Sequence, residues 1–236
     1  MRRAALLLLA LPLFGGIAAA QAGSMLRHQR TEIAWGGKLP DKPWDECAAE
    51  RGAAFNKPLL VYVESRIKTQ DQQRFDDALD MTDQLRLVTK FFDCVKLGED
   101  QARKSKFLSG IKFKTPAVFV FSPDRSTWKK TDGRPSAMKA YTIMRQVGQP
   151  AWETKIKPTL QEAKVLLGRY DQIDDAQNAI SIKQRRLNDY LGKGKTAKAK
   201  ALQKSLDKDV KKRADHLAET DKLWKELWKL ERRKPE

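Results

Sequence analysis

The sequence predicts an α/β domain followed by an antiparallel helical hairpin. Between residues 35 and 149, short β-branched and apolar runs alternate with segments of helical periodicity. Such alternation is typical of a partly parallel sheet flanked by helices. After Pro150 no strand-like run occurs, and apolar residues recur at intervals of three, four and seven. We therefore predict an α/β domain over residues 31–149 and a basic helical hairpin, or coiled coil, over residues 150–236.

Short apolar or β-rich runs mark the strands of the first domain. The run at residues 58–63 is apolar at nearly every position, which favours a buried strand. Residues 128–131 follow the turn sequence Ser122-Pro123-Asp124 and are predicted to pair back as a hairpin. The strand candidates cover residues 31–35 (the weakest), 58–63, 91–97, 117–121 and 128–131.

Helical patterns separate these strands. A helix is predicted from about Asp41 to Phe55, with Asp41 as its cap and Pro43 in its first turn. Asp80 or Thr82 is a suitable cap for the helix that runs through Leu85 and Val88. The remaining helix predictions cover residues 70–79, 82–88, 99–108 and 136–147.

The second domain carries two long apolar stripes. The first extends from Trp152 to Leu191, the glycines at 192 and 194 interrupt it, and the second extends from Leu202 through Val210 to Leu227. Each helix alone would expose its stripe, so the two must pack on each other, on the first domain or on a partner. The final ERRKPE is expected to fray.

A Trp/Leu stripe near the carboxyl end has two interpretations. Trp224, Leu227, Trp228 and Leu230 are bordered by lysines and arginines, so this helix could lie on a membrane surface. It could equally be the end of the hairpin packing against Trp152 or Ile156, which an antiparallel arrangement brings near. We favour packing, because those residues also need burial.

The first residues resemble an export signal. Arg2 and Arg3 precede an apolar run from Ala4 to Phe14, and small residues follow around position 20. The run is too short to span a bilayer. We therefore expect residues 1–22 to be a signal peptide, and the mature protein to be secreted, either periplasmic or extracellular.

The chain is strongly basic, with a formal net charge of +17. One stretch near the hairpin loop is a candidate anion-binding surface for an anionic envelope, although the simpler interpretation is a solvated helix face. The stretch contains no aromatic residue for base stacking, which argues against nucleic acid as the partner. Its cations are Lys193, Lys195, Lys198, Lys200, Lys204, Lys208, Lys211, Lys212 and Arg213.

Few residues suit redox or metal chemistry. Cys47 and Cys94 are the only cysteines, and their separation fits neither a zinc site nor a CxxC dithiol. They form a disulfide or remain as buried thiols, and the sequence leaves both options open. The two histidines, His28 and His216, have no partners at ligand spacing, and no phosphate-binding glycine loop occurs. We expect no metal and no cofactor.

Three stretches resemble the thioredoxin-like fold family: WDECAAERGAAFNKPLLVYV, TDQLRLVTKFFDCVKLGED and GIKFKTPAVFVFSPD. The resemblance implies a central sheet flanked by helices, and a cis bond between Thr115 and Pro116. In active members a CxxC dithiol opens the helix after the first long strand, where the helix N-terminus lowers the pKa of a thiol. Lys68 and Asp71 fall near those positions here, so the redox function of the family does not carry over.

The resemblance therefore points to a non-catalytic protein. We expect a protein- or peptide-binding module, or a scaffold of the envelope, whose site includes Lys68, Asp71, Thr115 and Pro116. One alternative is thiol–disulfide chemistry through Cys47 or Cys94, which requires an accessible thiol of low pKa. Another is adhesion to envelope anions through the basic hairpin. The sequence does not indicate an oligomeric state.

Overall fold

The computed structural model describes residues 25–36 and 57–233. The expected signal peptide, the helix expected before residue 56 and Cys47 lie outside these residues. The strands are β1 (Trp35–Gly36), β2 (Leu59–Glu64), β3 (Asp93–Gly98), β4 (Ala117–Phe121) and β5 (Trp128–Asp132). The helices are α1 (Met25–Thr31), α2 (Gln70–Met81), α3 (Asp83–Val88), α4 (Glu99–Lys104), α5 (Ala137–Gly148), α6 (Ile156–Gly192) and α7 (Thr196–Leu227).

The five strands form one mixed sheet in the order β1-β3-β2-β4-β5. Strand β3 is parallel to both β1 and β2, whereas β4 is antiparallel to β2 and to β5. Val61 of β2 faces Val95 on one side and Phe119 on the other. The predicted α/β class with a partly parallel sheet is confirmed.

Strand β2 is buried on both faces, which explains its continuous apolar sequence LLVYV. Leu60 and Tyr62 point into a core that α2, α3, α5 and the hairpin helices cover. Val61 and Val63 alternate with them and enter a second core on the other face, which includes Ala102 of α4. Two-sided burial makes β2 the centre of the domain.

Three predicted boundaries are wrong. Thr31 ends α1 instead of starting a strand, because its hydroxyl donates to the Arg27 and His28 carbonyls of the preceding turn. Phe91 lies in a 3-10 turn (Thr89–Phe91), so β3 begins two residues later. Helix α4 ends at Lys104, because the Ser105 hydroxyl accepts the N–H groups of residues 107 and 108 and starts a new turn.

Helices α6 and α7 form the predicted hairpin. The loop between them contains Gly194 at φ 67°, a left-handed conformation that glycine adopts without steric cost. Helix α6 has 37 residues, a length of about 55 Å. Leu191 and Val210, predicted within the apolar stripes, are instead 58% and 48% exposed.

The two halves of the hairpin have different surroundings. Ile156, Leu160 and Leu167 at its base are buried in the same core as β2. Beyond them a separate cluster of buried residues contains only hairpin side chains: Ile180, Leu187, Ala199 and Leu206. The base is therefore part of the domain, while the distal half is stabilised by the two helices alone.

Helix α1 ties the hairpin to the domain. Arg27 forms ion pairs with Asp83 of α3 and Asp171 of α6. Asp221 of α7 accepts hydrogen bonds from Arg30 at 2.7 Å and from the Tyr170 hydroxyl at 2.6 Å. These contacts connect α1 with three other helices.

The Trp/Leu stripe packs into the domain, as the packing interpretation predicted. Trp224 is buried, and its ring centroid lies 5.9 Å from that of Tyr170. The ring centroids of Trp228 and Phe91 are 5.8 Å apart. None of the helices in the described residues is long and apolar enough to cross a membrane.

The segment after the hairpin is ordered by backbone pairing. Glu153 N–H donates to the Glu231 carbonyl at 3.0 Å, and Arg233 N–H donates to the Ala151 carbonyl at 3.1 Å. Trp152 and Arg232 form an isolated antiparallel bridge between these bonds. The prediction that the carboxyl end frays is therefore wrong for residues 231–233.

We expect Gly148→Ala to destabilise the protein by about 1–3 kcal/mol. A Cβ at residue 148 would lie 2.5 Å from Cζ of the buried Phe92 ring, so the ring would have to move. Chemical denaturation followed by circular dichroism measures the change.

Gly168→Ala is the matched control. Residue 168 lies within α6 and a Cβ there meets no atom within 4 Å, so alanine should increase the unfolding free energy by up to about 1 kcal/mol. Equal changes in the unfolding free energy for the two substitutions would show that the Phe92 ring has room for a Cβ at residue 148.

The hairpin base should unfold together with the sheet. Leu167 on α6 is fully buried in the domain core, so Leu167→Ala is expected to cost about 2–5 kcal/mol. Val165 on the same turn is 64% exposed, and Val165→Ala should change stability by less than about 0.5 kcal/mol. Separate transitions by far-UV circular dichroism and tryptophan fluorescence would contradict a shared core.

Candidate functional site

Three chain segments converge at one edge of the sheet. Because β2 and β3 are parallel, with Glu64 opposite Gly98, the loops after both strands leave at the same edge. Strand β4 is antiparallel, and Ala117 pairs with Val63, so Thr115 and Pro116 precede β4 at that edge too. The structure therefore brings the predicted site segments 68–71 and 115–116 to one end of the sheet.

A cleft of about 460 Å³ lies between the loops that follow β2 and β3. Its walls are mostly polar or charged. The lining residues are Glu64, Ser65, Arg66, Lys68, Gln72, Gly98, Glu99, Asp100 and Gln101.

Glu99, the first residue of α4, connects the three segments. Its carboxylate accepts hydrogen bonds from Nε of Arg103 at 2.9 Å, from the Thr115 hydroxyl at 2.9 Å and from the Arg66 N–H at 3.4 Å. The hydrogen bond from Arg103, and then those from Thr115 and Arg66, hold the pKa of Glu99 below its usual range. Glu99 therefore fixes the loop after β2 relative to the segment before β4.

Lys68 and Asp71 are held by ion pairs. Lys68 Nζ lies 3.6 Å from Asp76, which also accepts a hydrogen bond from the Tyr62 hydroxyl. Asp71 lies 3.2 Å from Nε of Arg134, which follows β5. Thr69 caps α2 by accepting the Gln72 N–H. The positions at which the resemblance places a dithiol thus hold charged side chains with partners.

Thr115 presents unpaired backbone groups beside the cleft. The peptide bond between Thr115 and Pro116 is cis, as the resemblance implied. Gly133 N–H donates to the carbonyls of both Lys114 and Pro116. The N–H and C=O of Thr115 itself form no hydrogen bond with any residue that the structure describes. With no partner in the described part of the chain, these two groups can pair with another chain.

Ile67 is a feature of the site that the sequence analysis missed. It lies in the loop between Ser65 and Thr69, and its side chain is 80% exposed. A polar side chain would be the usual occupant of so exposed a position. The neighbouring Arg66 N–H and the Thr115 hydroxyl both donate to the Glu99 carboxylate, so Ile67 belongs to the loop that Glu99 holds against the Thr115 segment. Glu99 and Arg134 were missed as well, since their roles depend on contacts between distant segments.

Cys94 is a buried thiol. It is buried in β3 as a free thiol, with Sγ 3.6 Å from the Thr89 carbonyl. Burial, with the nearby Asp93 charge, raises the pKa of the thiol well above its usual range, so the reactive thiolate is disfavoured. Of the two options that the sequence leaves open, the structure thus has the buried thiol at Cys94 and no disulfide to Cys47, which itself lies outside the described residues.

The basic stretch of the hairpin is remote from this cleft. At 100° per residue, Lys200, Lys204, Lys208 and Lys211 share the face of α7 opposite the buried Leu206. Lys193 pairs with Asp189 at 2.7 Å. All lie in the distal half of the hairpin, so anion binding there stays a separate prediction.

The histidines do not form a site. Nδ1 of His28 lies 3.3 Å from Arg86, and His216 is exposed on α7. Within residues 25–36 and 57–233 no group of three acidic, histidine or cysteine side chains is placed to hold a metal ion.

No protein-family model, no curated protein and no solved structure matches this chain.

Glu99 should contribute to acid sensitivity. Its folded pKa is lowered, so its stabilising effect is present above the ordinary value of 4.5 and is lost as the pH falls through the folded value. Glu99→Gln should thus be less stable than the wild type near neutral pH, with the difference shrinking below pH 4.5. Urea unfolding at several pH values measures this, and a difference independent of pH would contradict it.

Cys94 should resist alkylation in the folded protein. In a Cys47→Ser background, we expect labelling by iodoacetamide only after denaturation, because the buried thiol is inaccessible and its pKa is raised. Intact mass spectrometry measures the labelled fraction. Rapid labelling of the native protein near neutral pH would instead support thiol–disulfide chemistry.

Proposed function

We propose that this chain is an exported, thioredoxin-like module that binds an extended protein or peptide segment without catalysing a reaction. The binding site is the sheet edge formed by Ile67, Lys68, Asp71 and Thr115-Pro116. Export is the part of the proposal that rests on the signal-like residues 1–22.

The order of elements supports the thioredoxin-like assignment. A strand, a helix and a parallel strand are followed by the cis Thr115-Pro116 bond, an antiparallel hairpin and a closing helix. Strand β3 lies between β1 and β2, inside the sheet rather than at its side.

The observation that carries the binding proposal is the free backbone of Thr115. An extended peptide that crosses this end of the sheet can donate to the Thr115 carbonyl and accept from its N–H, which supplies main-chain hydrogen bonds of the kind that hold extended peptides in other recognition sites. The exposed Ile67 offers an apolar contact for one side chain of that peptide. The Glu99–Thr115 hydrogen bond holds the Thr115 side chain in place before binding, which lowers the entropic cost.

The charges around the edge favour binding over chemistry. Lys68 and Asp71 already have partners of opposite charge, Asp76 and Arg134. No described thiol lies at this edge, since Cys94 is buried within β3. A protein that only binds its partner does not need Lys68, Asp71 or a thiol as a reactive group.

Peptide selection followed by calorimetry tests the proposal. Peptides would be selected on the purified protein from a random displayed library, and their dissociation constants measured for the wild type and for Ile67→Ser. Loss of a central apolar anchor should weaken binding roughly tenfold or more. Lys68→Glu should weaken it less, because Lys68 is an exposed charge at the rim.

Ile182→Ser is the matched control, because Ile182 is 57% exposed in the distal half of α6, away from the sheet. It should bind the selected peptides like the wild type. Peptides that tolerate Ile67→Ser and Lys68→Glu but not Ile182→Ser would move the site elsewhere. Failure to select any peptide would count against peptide binding altogether.

A further inference from the structure

A second cleft, of about 530 Å³, opens where the hairpin base meets the α/β domain. Lys57 lies two residues before β2 and Lys90 three residues before β3, so this cleft is at the opposite edge of the sheet from Thr115. Its volume is within the range of small-molecule sites. The cleft is therefore independent of the peptide-binding edge.

Three tryptophans form its apolar wall. Trp228 lies between Phe91 and Trp224, with ring centroids 5.8 and 5.6 Å away in edge-on contacts. Trp152 packs edge-on against the other side of Phe91 at 5.9 Å. Since Trp152 and Trp224 are buried, the wall is held rigidly by the domain core.

Four cations face this wall: Lys57, Lys90, Lys225 and Arg232. None of the described residues that line the cleft is acidic, and none of the four cations forms an ion pair with a described residue. Elsewhere cations such as Lys68, Lys96 and Lys130 pair with carboxylates. The cleft lining thus concentrates positive charge, and the described carboxylates near Lys57 and Lys90, those of Glu32 and Asp93, line a neighbouring cleft instead.

The position of Lys90 shows that this arrangement is costly. Its Nζ lies 5.6 Å from the Trp228 ring centroid and 5.9 Å from that of Trp224. Burial, and then repulsion by Arg30, lower the pKa of Lys90, although Glu32 acts in the opposite direction from a neighbouring cleft. A bound anion would offset this cost by supplying the missing countercharge.

Backbone pairing fixes Arg232 over the cleft. Its guanidinium lies 5.8 Å from the Trp152 ring centroid, and the Trp152–Arg232 bridge sets the register of the strand pair. The Glu231 N–H donates to the Thr154 hydroxyl at 2.8 Å beside it. Backbone hydrogen bonds therefore hold Arg232 at the cleft, although its side chain is exposed.

We propose that this cleft binds a small organic anion that carries phosphate or carboxylate groups. Lys57, Lys90, Lys225 and Arg232 meet its charge, because lysine and arginine form charge-assisted hydrogen bonds with such oxygens. The tryptophan wall and Leu230 contact its apolar body. The distal lysines of α7 take no part in this site.

Calorimetric titration of the full-length protein tests the site, with glucose 6-phosphate and citrate as probes and glucose as the neutral control. All titrations are made at one ionic strength. We expect saturable binding of at least one anionic probe and none of glucose. Arg232→Gln should weaken binding roughly tenfold, and the Lys90→Gln/Arg232→Gln double substitution further.

Lys208→Gln/Lys211→Gln is the matched control, because it removes the same charge from the exposed distal face of α7. It should leave the dissociation constant within about twofold of the wild type, since screened charges at that distance act weakly. Arg232 is exposed, so its substitution should leave the melting temperature unchanged and keep the test valid even if Lys90→Gln unfolds the protein.

Two results would overturn the proposal. One is the absence of saturable binding of both anionic probes at millimolar concentration. The other is binding that Arg232→Gln leaves unchanged, or that the control substitution weakens as much, which would indicate nonspecific attraction to a basic protein. Neither result affects the peptide-binding proposal, because the two sites lie at opposite edges of the sheet.

Discussion

Burial of β2 on both faces is the constraint on which the rest of the structure depends. A strand with the sequence LLVYV has no solvated face, so helices or loops must cover the sheet on each side. The base of the hairpin supplies part of that cover through Leu160 and Leu167 of α6. The hairpin is therefore part of the fold of the α/β domain along its proximal half, and only its distal half depends on the pairing of two helices.

The same constraint places the two candidate sites. Strand β2 is too apolar to carry polar function along its length, so polar groups concentrate in the loops at its ends. At one end Glu99 joins the loop after β2 to Thr115, whose backbone remains unpaired within the described residues. At the other end Lys57 and Lys90 precede parallel strands and face the tryptophan wall. The first end is lined by polar loop residues, whereas the hairpin base adds tryptophan side chains to the second.

Local patterns predicted most of the elements. The run at residues 117–121 is a strand with the predicted bounds, and the glycines at 192 and 194 separate the hairpin helices as predicted. What the sequence could not show depends on contacts between distant segments. The pairing of Arg232 with Trp152 spans 80 residues, and the role of Glu99 requires Thr115 as its neighbour. No periodicity or propensity contains that information.

Amide hydrogen exchange at Thr115 tests the central claim most directly. In the uniformly ¹⁵N-labelled protein, the Thr115 amide should exchange rapidly, because it has no hydrogen-bond partner in the described structure, while the amides of β2 should be protected. Addition of a saturating selected peptide should slow exchange at Thr115 in particular. Strong protection of Thr115 in the unbound protein, or exchange that saturating peptide leaves unchanged, would contradict main-chain hydrogen bonding of a peptide to Thr115.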